Sequence, residues 1–318
     1  MRKSIFVVLL IGVVFLLSGQ QSCDRTGGDT AVGEGPYVGG NDGVSIAFLD
    51  DAPPLSGNFQ GDPIAIEVEL TNNGETRLVA NTAVVNLIGT IVGGAFTLTD
   101  TDATASNVGL IDRVRDSGDI ADSDFVVLGT ATLKDSESIG PSWSPNLRAQ
   151  VCYPYETNVQ IDDLCIPGAR NEVGTIECEI DNSENLVDSG DVSAAPVQVT
   201  SVVETRTGTG IRVRLDIENQ GNGDVISVGN TCDNAVNVPL VNRDLVTVNV
   251  PGYDCVFRGA TGDTGQVELR SNKGRLRCTK DTGGTGRAYE DRFVATLTYN
   301  YVEEASKTIL IQSKTAGI

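Results

Sequence analysis

Residues 62–75, DPIAIEVELTNNGE, decide the fold. Ile64, Ile66, Val68 and Leu70 alternate with Ala65, Glu67, Glu69 and Thr71. Successive side chains of a strand point to opposite faces, so this period of two marks a strand with one face in a core, closed by an Asn/Gly turn at 72–74. Residues 210–223, GIRVRLDIENQGNG, use the same device: Ile211, Val213, Leu215 and Ile217 alternate with Arg212, Arg214, Asp216 and Glu218 before Asn219, Gln220 and Gly221. The shift from Ile64 to Ile211 is 147 residues and holds along both segments.

A second pair of segments fixes that register. Leu147, Ala149, Val151, Tyr153 and Tyr155 in NLRAQVCYPY match Phe293, Ala295, Leu297, Tyr299 and Tyr301 in RFVATLTYNY at a shift of 146. Two landmarks far apart in the chain with nearly one offset indicate an internal repeat. Further strands are expected at VSIAFL around Ile46, FVVLGTATL from Phe125, VQVTSVV from Val197, LVTVNV up to Val250, and in VELRSNKGRLRC, where 271–274 forms a hairpin turn. The chain closes on TILIQ, with a turn expected at 303–306. Helical periodicity is missing outside the N-terminus, and short strands between Gly, Asn and Asp turns predict antiparallel sandwiches.

The 318 residues fit about two domains. Lys plus Arg number 23 against 43 Asp plus Glu, a net charge of -20, which opposes a phosphate backbone; nucleic acid is not an expected partner. There is no His, which removes the Ser/His/Asp triad and His-ligated zinc.

Residues 1–23 join a basic start (Arg2, Lys3), an apolar run of 13 residues from Ile5 to Leu17, and a small polar stretch ending at Cys23. This is the pattern of a secretory signal, and the run is shorter than the ~20 residues of a spanning helix. Cys23, preceded by Ser22, resembles the lipid-attachment site of prokaryotic lipoproteins. Lipidated, cleaved and retained N-termini all stay open. Residues 24–43, rich in Gly and Asp, read as a flexible tether.

Apart from Cys23 there are six cysteines: Cys152, Cys165, Cys178, Cys232, Cys255 and Cys278. An even set in an exported chain predicts three disulfides. Their shortest spacing is 13 residues, with no C-x-x-C pair for zinc. The polar, acidic stretch 171–195 reads as the boundary between repeats, and counting Cys178 with the first leaves three cysteines on each side. One bridge must then cross the boundary, and Cys178 is expected to supply it.

The strands ending in Asn-x-Gly, the Tyr-x-Tyr strands, and the signal followed by a Gly-rich tether resemble archaeal cell-surface proteins built from tandem immunoglobulin-like domains. The resemblance covers residues 44–312. It implies an all-β chain of two tandem antiparallel immunoglobulin-like β-sandwiches, over 44–170 and 196–318, after an N-terminal signal or anchor helix. It also implies a place at the cell surface and an adhesive, binding or scaffolding role toward envelope proteins or glycans. It carries over no catalytic residue and no cofactor.

Candidate chemistry is sparse. Asp-Ser-Gly or Asp-Thr-Gly occurs at Asp116, Asp188, Asp263 and Asp281, but only Asp188, after Leu186 and Val187, has the local setting of an aspartic protease, and it lies in the acidic stretch 171–195; these read as turns. Asp116, Asp119, Asp122 and Asp124 are a candidate calcium cluster, lacking the ligand spacing of an EF-hand. The Gly-rich 259–265 and 282–287 lack the Lys-Ser/Thr of a phosphate cradle. Trp143 is a candidate for stacking on a sugar, whereas Tyr153 and Tyr155, being repeated, are expected to serve the fold. No Asn-x-Ser/Thr acceptor occurs. The chain is therefore expected to be a non-enzymatic, envelope-anchored surface module. The alternatives are a carbohydrate-binding accessory pair and a filament subunit that donates a strand to its neighbour.

Overall fold

The computed structural model describes residues 35–314 apart from 93, 100–103, 107, 170–177, 230–231, 233–241 and 284–285. The described residues are all-β, with a single 3-10 turn at Gly89–Ile91. None of their helices is long and apolar enough to cross a membrane. The signal at 1–23 and the first part of the tether lie outside the described residues.

The first half contributes β1 (Val44–Phe48), β2 (Asn58–Phe59), β3 (Pro63–Asn72), β4 (Val84–Ile88), β5 (Phe96–Thr99), β6 (Thr104–Ala105), β7 (Asp122–Leu133), β8 (Ser142–Trp143) and β9 (Asn146–Ile166). The second contributes β10 (Val197–Arg206), β11 (Gly210–Asn219), β12 (Asp224–Ile226), β13 (Leu245–Asn249), β14 (Asp254–Phe257) and β15 (Ala260–Gly262). It continues with β16 (Thr264–Glu268), β17 (Lys273–Asp281), β18 (Tyr289–Thr308) and β19 (Ile311–Gln312). The alternation read in sequence is realised on β3 and β11, whose Ile, Val and Leu side chains are all buried. Burying each such side chain stabilises by roughly 1.5–3 kcal/mol. The hairpin expected at 271–274 is reduced to one bridge, Arg270↔Lys273, around Ser271 and Asn272 at positive φ (53° and 67°); β16 and β17 on either side enter different sheets.

Sheet order gives the architecture. A four-stranded sheet, β1-β3-β7-β5, belongs to the first half, and a five-stranded sheet, β10-β11-β17-β14-β15, to the second. The third sheet, of seven strands, crosses between them: β16-β13-β18-β9-β4-β6, with β12 also on β18. At its centre β9 and β18 run antiparallel from Asn146↔Thr308 to Ile166↔Tyr289. Position i of β9 faces 454 − i of β18 through most of this ladder, as in Tyr153↔Tyr301 and Tyr155↔Tyr299. With repeat equivalents 146 apart, the register is symmetric about Pro154 and Asn300, as a local two-fold axis would make it.

The halves are thus joined through a common sheet, and one continuous apolar core runs from Ile66 and Leu70 to Val213 and Leu276. The turn expected at 303–306 does not exist. Those residues continue β18 opposite Val151 to Arg148, with Glu304 and Ser306 exposed and Glu303 and Ala305 half-buried on the opposite face. The chain turns afterwards, and β19 joins β2 and β8 of the first half in a small three-stranded sheet. The acidic stretch 171–195 is likewise more than a spacer where it is described. Asn185 and Leu186 lie along the free edge of β10, bonded to Val202 and Thr200, and Ala194 and Ala195 are buried.

Candidate functional site

The landmarks that revealed the repeat meet at the seam between its copies. Tyr153 and Tyr155 on β9 stand opposite Tyr301 and Tyr299 on β18, and directly opposed residues share a face. The four rings form a buried quartet, with centroids 5.9 Å apart for Tyr153–Tyr301 and 6.5 Å for Tyr155–Tyr299. Each hydroxyl has an assigned task. Tyr155 donates to Asn72 Oδ1 (3.1 Å) and accepts from Thr76 N (3.4 Å). Tyr301 donates to Asn219 Oδ1 (3.1 Å) and accepts from Gly223 N (2.8 Å). Asn72 and Asn219 in turn donate to the carbonyls of Thr76 (2.8 Å) and Gly223 (2.9 Å), each four residues on. Tyr153 both accepts from Val44 N and donates to Val44 O at the start of β1, and Tyr299 accepts from Val197 N at the start of β10. Burial pushes all four phenols above their ordinary range, so they remain neutral hydrogen-bonding groups. The glycines of the two Asn-x-Gly turns are required by this approach: a Cβ would sit 2.1 Å from the Tyr155 hydroxyl at Gly74 and 2.2 Å from that of Tyr301 at Gly221.

Glu75 ties the seam to the chain entering it. Its Oε1 accepts from Val38 N (3.0 Å), and its Oε2 accepts from Gly39 N (3.1 Å) and Ala194 N (2.7 Å). Tyr37 N bonds Gly190 O, and Ala195 N bonds Gly40 O. The described end of the expected tether is therefore laid against the connector between the repeats. Sequence reasoning passed over Glu75, whose only local signal is an acidic residue directly after the first Asn-x-Gly turn.

The six predicted cysteines form three disulfides: Cys152–Cys232, Cys165–Cys178 and Cys255–Cys278. The bridge between halves is there, but Cys178 does not make it. Cys178 closes a short loop onto Cys165 at the end of β9, and Cys152 crosses to Cys232 over a separation of 80 residues. Together with Val84, Ile226 and Val302, that bridge forms a small apolar cluster separate from the main core. Cys255 and Cys278 are direct cross-strand neighbours on β14 and β17. Cys23 lies outside the described residues.

The remaining candidates are dispersed. Asp119 accepts from the amides of Arg115 and Asp116, Asp122 from Asp112 N, and Asp124 from Gly109 N. Three of the four carboxylates of the calcium candidate, those of Asp119, Asp122 and Asp124, thus hold backbone amides at separate places. Among the described residues no group of three or more His, Cys, Asp or Glu is placed to hold a metal ion. Trp143 is half-buried, stacked on Phe96 at 5.8 Å and paired through its backbone with Ile311, so one ring face is already occupied.

Two clefts remain. One, of about 740 Å³, is an open polar trough between Gln60, residues 135–141 and Lys314. The other, of about 360 Å³, lies beside the Cys165–Cys178 bridge, with Arg206 reaching across to Gly168 O (2.6 Å). Near it Glu204 is buried and accepts from Cys165 N (3.1 Å). Burial, with Asp163 and Glu184 nearby, pushes its carboxyl up to about 7, against the lowering effect of that hydrogen bond. The neighbouring Tyr253 hydroxyl is buried without a hydrogen bond.

No protein-family model and no curated protein matches the chain. Among solved structures it is similar to the secreted serine protease VesC from Vibrio cholerae, with 12% identity and a TM-score of 0.17 over 83% of this chain and 51% of that one. The chain spans about half the length of that protein. It is also similar to the MSCRAMM ACE of Enterococcus faecalis, with 10% identity and a TM-score of 0.12 over 86% of this chain and 94% of that one. Likenesses this slight carry no argument about fold or activity.

Proposed function

We propose that the protein is an exported, non-enzymatic module of the cell surface: two immunoglobulin-like repeats, attached to the envelope at the N-terminus through Cys23, that hold envelope proteins or glycans by their faces. The observation that carries this reading is the locked seam. Three disulfides point to an oxidising compartment. The tyrosine quartet, the Glu75 clamp and the Cys152–Cys232 bridge suit a rigid body whose faces keep a fixed spacing, which is what a scaffold needs. The ordered chemistry of the interior is spent on structure: tyrosines, asparagines and carboxylates hold backbone.

Intact mass of the protein from its native membrane fraction, before and after reduction, tests the proposal. The expected result is a chain beginning at a lipid-bearing Cys23 that gains six hydrogens on reduction. Recovery from the cytosol, unprocessed and with free thiols, would overturn it.

A further inference from the structure

The outward sheet faces of the two repeats differ in charge, with the sign reversed between Glu67 and Arg214 and retained between Glu69 and Asp216. On β3 the residues pointing away from the core are Ala65, Glu67 and Glu69; 147 positions later, on β11, they are Arg212, Arg214 and Asp216. Register extends the contrast across each sheet. Glu67 stands opposite Val127 and Glu69 opposite Phe125 on β7, and these two apolar side chains are 60% and 59% exposed. Among the described residues neither glutamate side chain has an ion-pair or hydrogen-bond partner. In the second repeat Arg214 stands opposite Arg277 on β17, which stands opposite Val256 on β14, 65% exposed. Asp216 is shared between Arg214 (3.5 Å) and Arg275 (2.6 Å), while among the described residues Arg212 and Arg277 have no acidic partner.

Like charges directly opposed across a ladder are destabilising, and two unpaired carboxylates on one strand face also repel. A single substitution would relieve either cluster. Both persist in a chain of net charge -20 that has only 23 basic residues, and each borders exposed apolar surface. We propose that the two faces are complementary halves of a self-association surface: the acidic, aromatic face of one copy docks on the arginine face of a second copy of this chain.

The tyrosine quartet supplies the geometry. All four rings project from one face of the seven-stranded sheet, yet reach β1 of the first repeat and β10 of the second. The four- and five-stranded sheets therefore cover the same face of the seven-stranded sheet, and their outer surfaces both face away from it. Two copies related by a two-fold axis along the seam make the contact twice, with Glu67 and Glu69 against Arg212 and Arg277 in both directions, which closes the assembly at a dimer. Each contact spans roughly 15 Å by 20 Å at sheet spacings, and two approach the ~800 Å² per partner of a specific interface. Whole-molecule repulsion opposes the encounter, but at ~0.15 M salt it is screened beyond about 8 Å, whereas pairs in contact persist. The association is independent of the surface-module reading, since it is a property of the purified chain.

Sedimentation velocity on the full chain in density-matched detergent, at ~0.15 M salt, tests the proposal. The wild type is expected to dimerise with rising concentration. Glu67→Arg/Glu69→Arg and Arg212→Glu/Arg277→Glu should each weaken dimerisation by about tenfold or more. Mixed one to one, the two variants should form a heterodimer, because each supplies the faces the other lacks. Far-ultraviolet circular dichroism verifies their fold, and Arg212→Gln/Arg277→Gln replaces the reversal if it fails to fold. A wild type that stays monomeric, a dimer indifferent to both reversals, or a mixture that stays monomeric would overturn the proposal. So would a monomer that binds polygalacturonate through Arg212 and Arg277, which would assign the basic face to an anionic glycan.

Discussion

Replacing Glu75 by Gln tests whether the seam is held by a charge or merely by packing. The carboxylate accepts three backbone amides, from Val38, Gly39 and Ala194, and is buried. Gln keeps one oxygen. If that oxygen takes the place of Oε2, the amides of Gly39 and Ala194 keep neutral bonds, while Val38 N faces an NH₂ group and keeps none. A hydrogen bond to a charged group contributes about 1.5–3 kcal/mol and a neutral one about 1, so the lost bond and the two weakened ones together cost about 3 kcal/mol. With a urea m-value of about 3 kcal/mol per molar, the unfolding midpoint falls by about 1 M. Amide exchange should locate the loss: protection at Val38, Gly39 and Ala194 drops before that of Ile66 or Val213 in the core strands. Glu67→Gln, at a side chain without partners among the described residues, is the control and should move the midpoint by less than about 0.2 M. A Glu75→Gln midpoint as small as the control's, with protection unchanged at the three amides, would refute the reasoning and reduce Glu75 to a passenger of the packing.

Glu204, raised from 4.5 to about 7, holds a proton in the folded chain that it releases in the unfolded one between about pH 4.5 and 7, so stability falls as pH rises through that window. Glu204→Gln should remove that slope and leave the variant up to about 3 kcal/mol more stable than wild type at pH 8, as read from urea melts at several pH values. Gly221→Ala forces a Cβ toward the Tyr301 hydroxyl and should cost about 2 kcal/mol or more, whereas Gly252→Ala, a turn glycine at positive φ with open space around its Cβ position, should cost about 1. Thermal melts separate the two. Cys152→Ala/Cys232→Ala releases a closed loop of 80 residues and should lower stability by about 4 kcal/mol, while the far-ultraviolet spectrum keeps its β form; loss of that spectrum at room temperature would mean that the bridge is needed to assemble the common sheet.

The amino-acid pattern disclosed strands better than partners. Alternation on β3 and β11 reports which face is buried, and the shared offset of Asn72 with Asn219 and of Tyr155 with Tyr301 already joined residues that meet at 3.1 Å. Composition could not show that β9 pairs with β18, since an antiparallel ladder between repeats leaves the same alternation as one within a repeat. The polar residues at 303–306 mimic a turn for the same reason: Glu304 and Ser306 read as loop chemistry, yet they line the wet side of a strand, while Glu303 is half-buried on the other face. Cysteine counting required a bridge across the boundary but not its identity, because Cys165 and Cys178 approach only where β9 ends. Glu75 and Glu204 are single acids in an acidic chain, and only their backbone partners distinguish them. The charge reversal between Glu67 and Arg214 is legible in the aligned repeats, but that both lie on outward faces is shown by the burial of their neighbours on β3 and β11.

The symmetric register of β9 on β18 also bears on descent. A lone repeat would end in a bare Tyr-x-Tyr edge, self-complementary about its own midpoint and open to any second copy or to aggregation. Pairing would then depend on how often two molecules met. Carried twice in one polypeptide, the same edge finds its mate at an effective concentration in the millimolar range, however dilute the protein is outside the cell. Fusion thus turns a subunit contact into an internal one, and frees each copy's outer sheet to diverge in sequence while the paired strands stay alike.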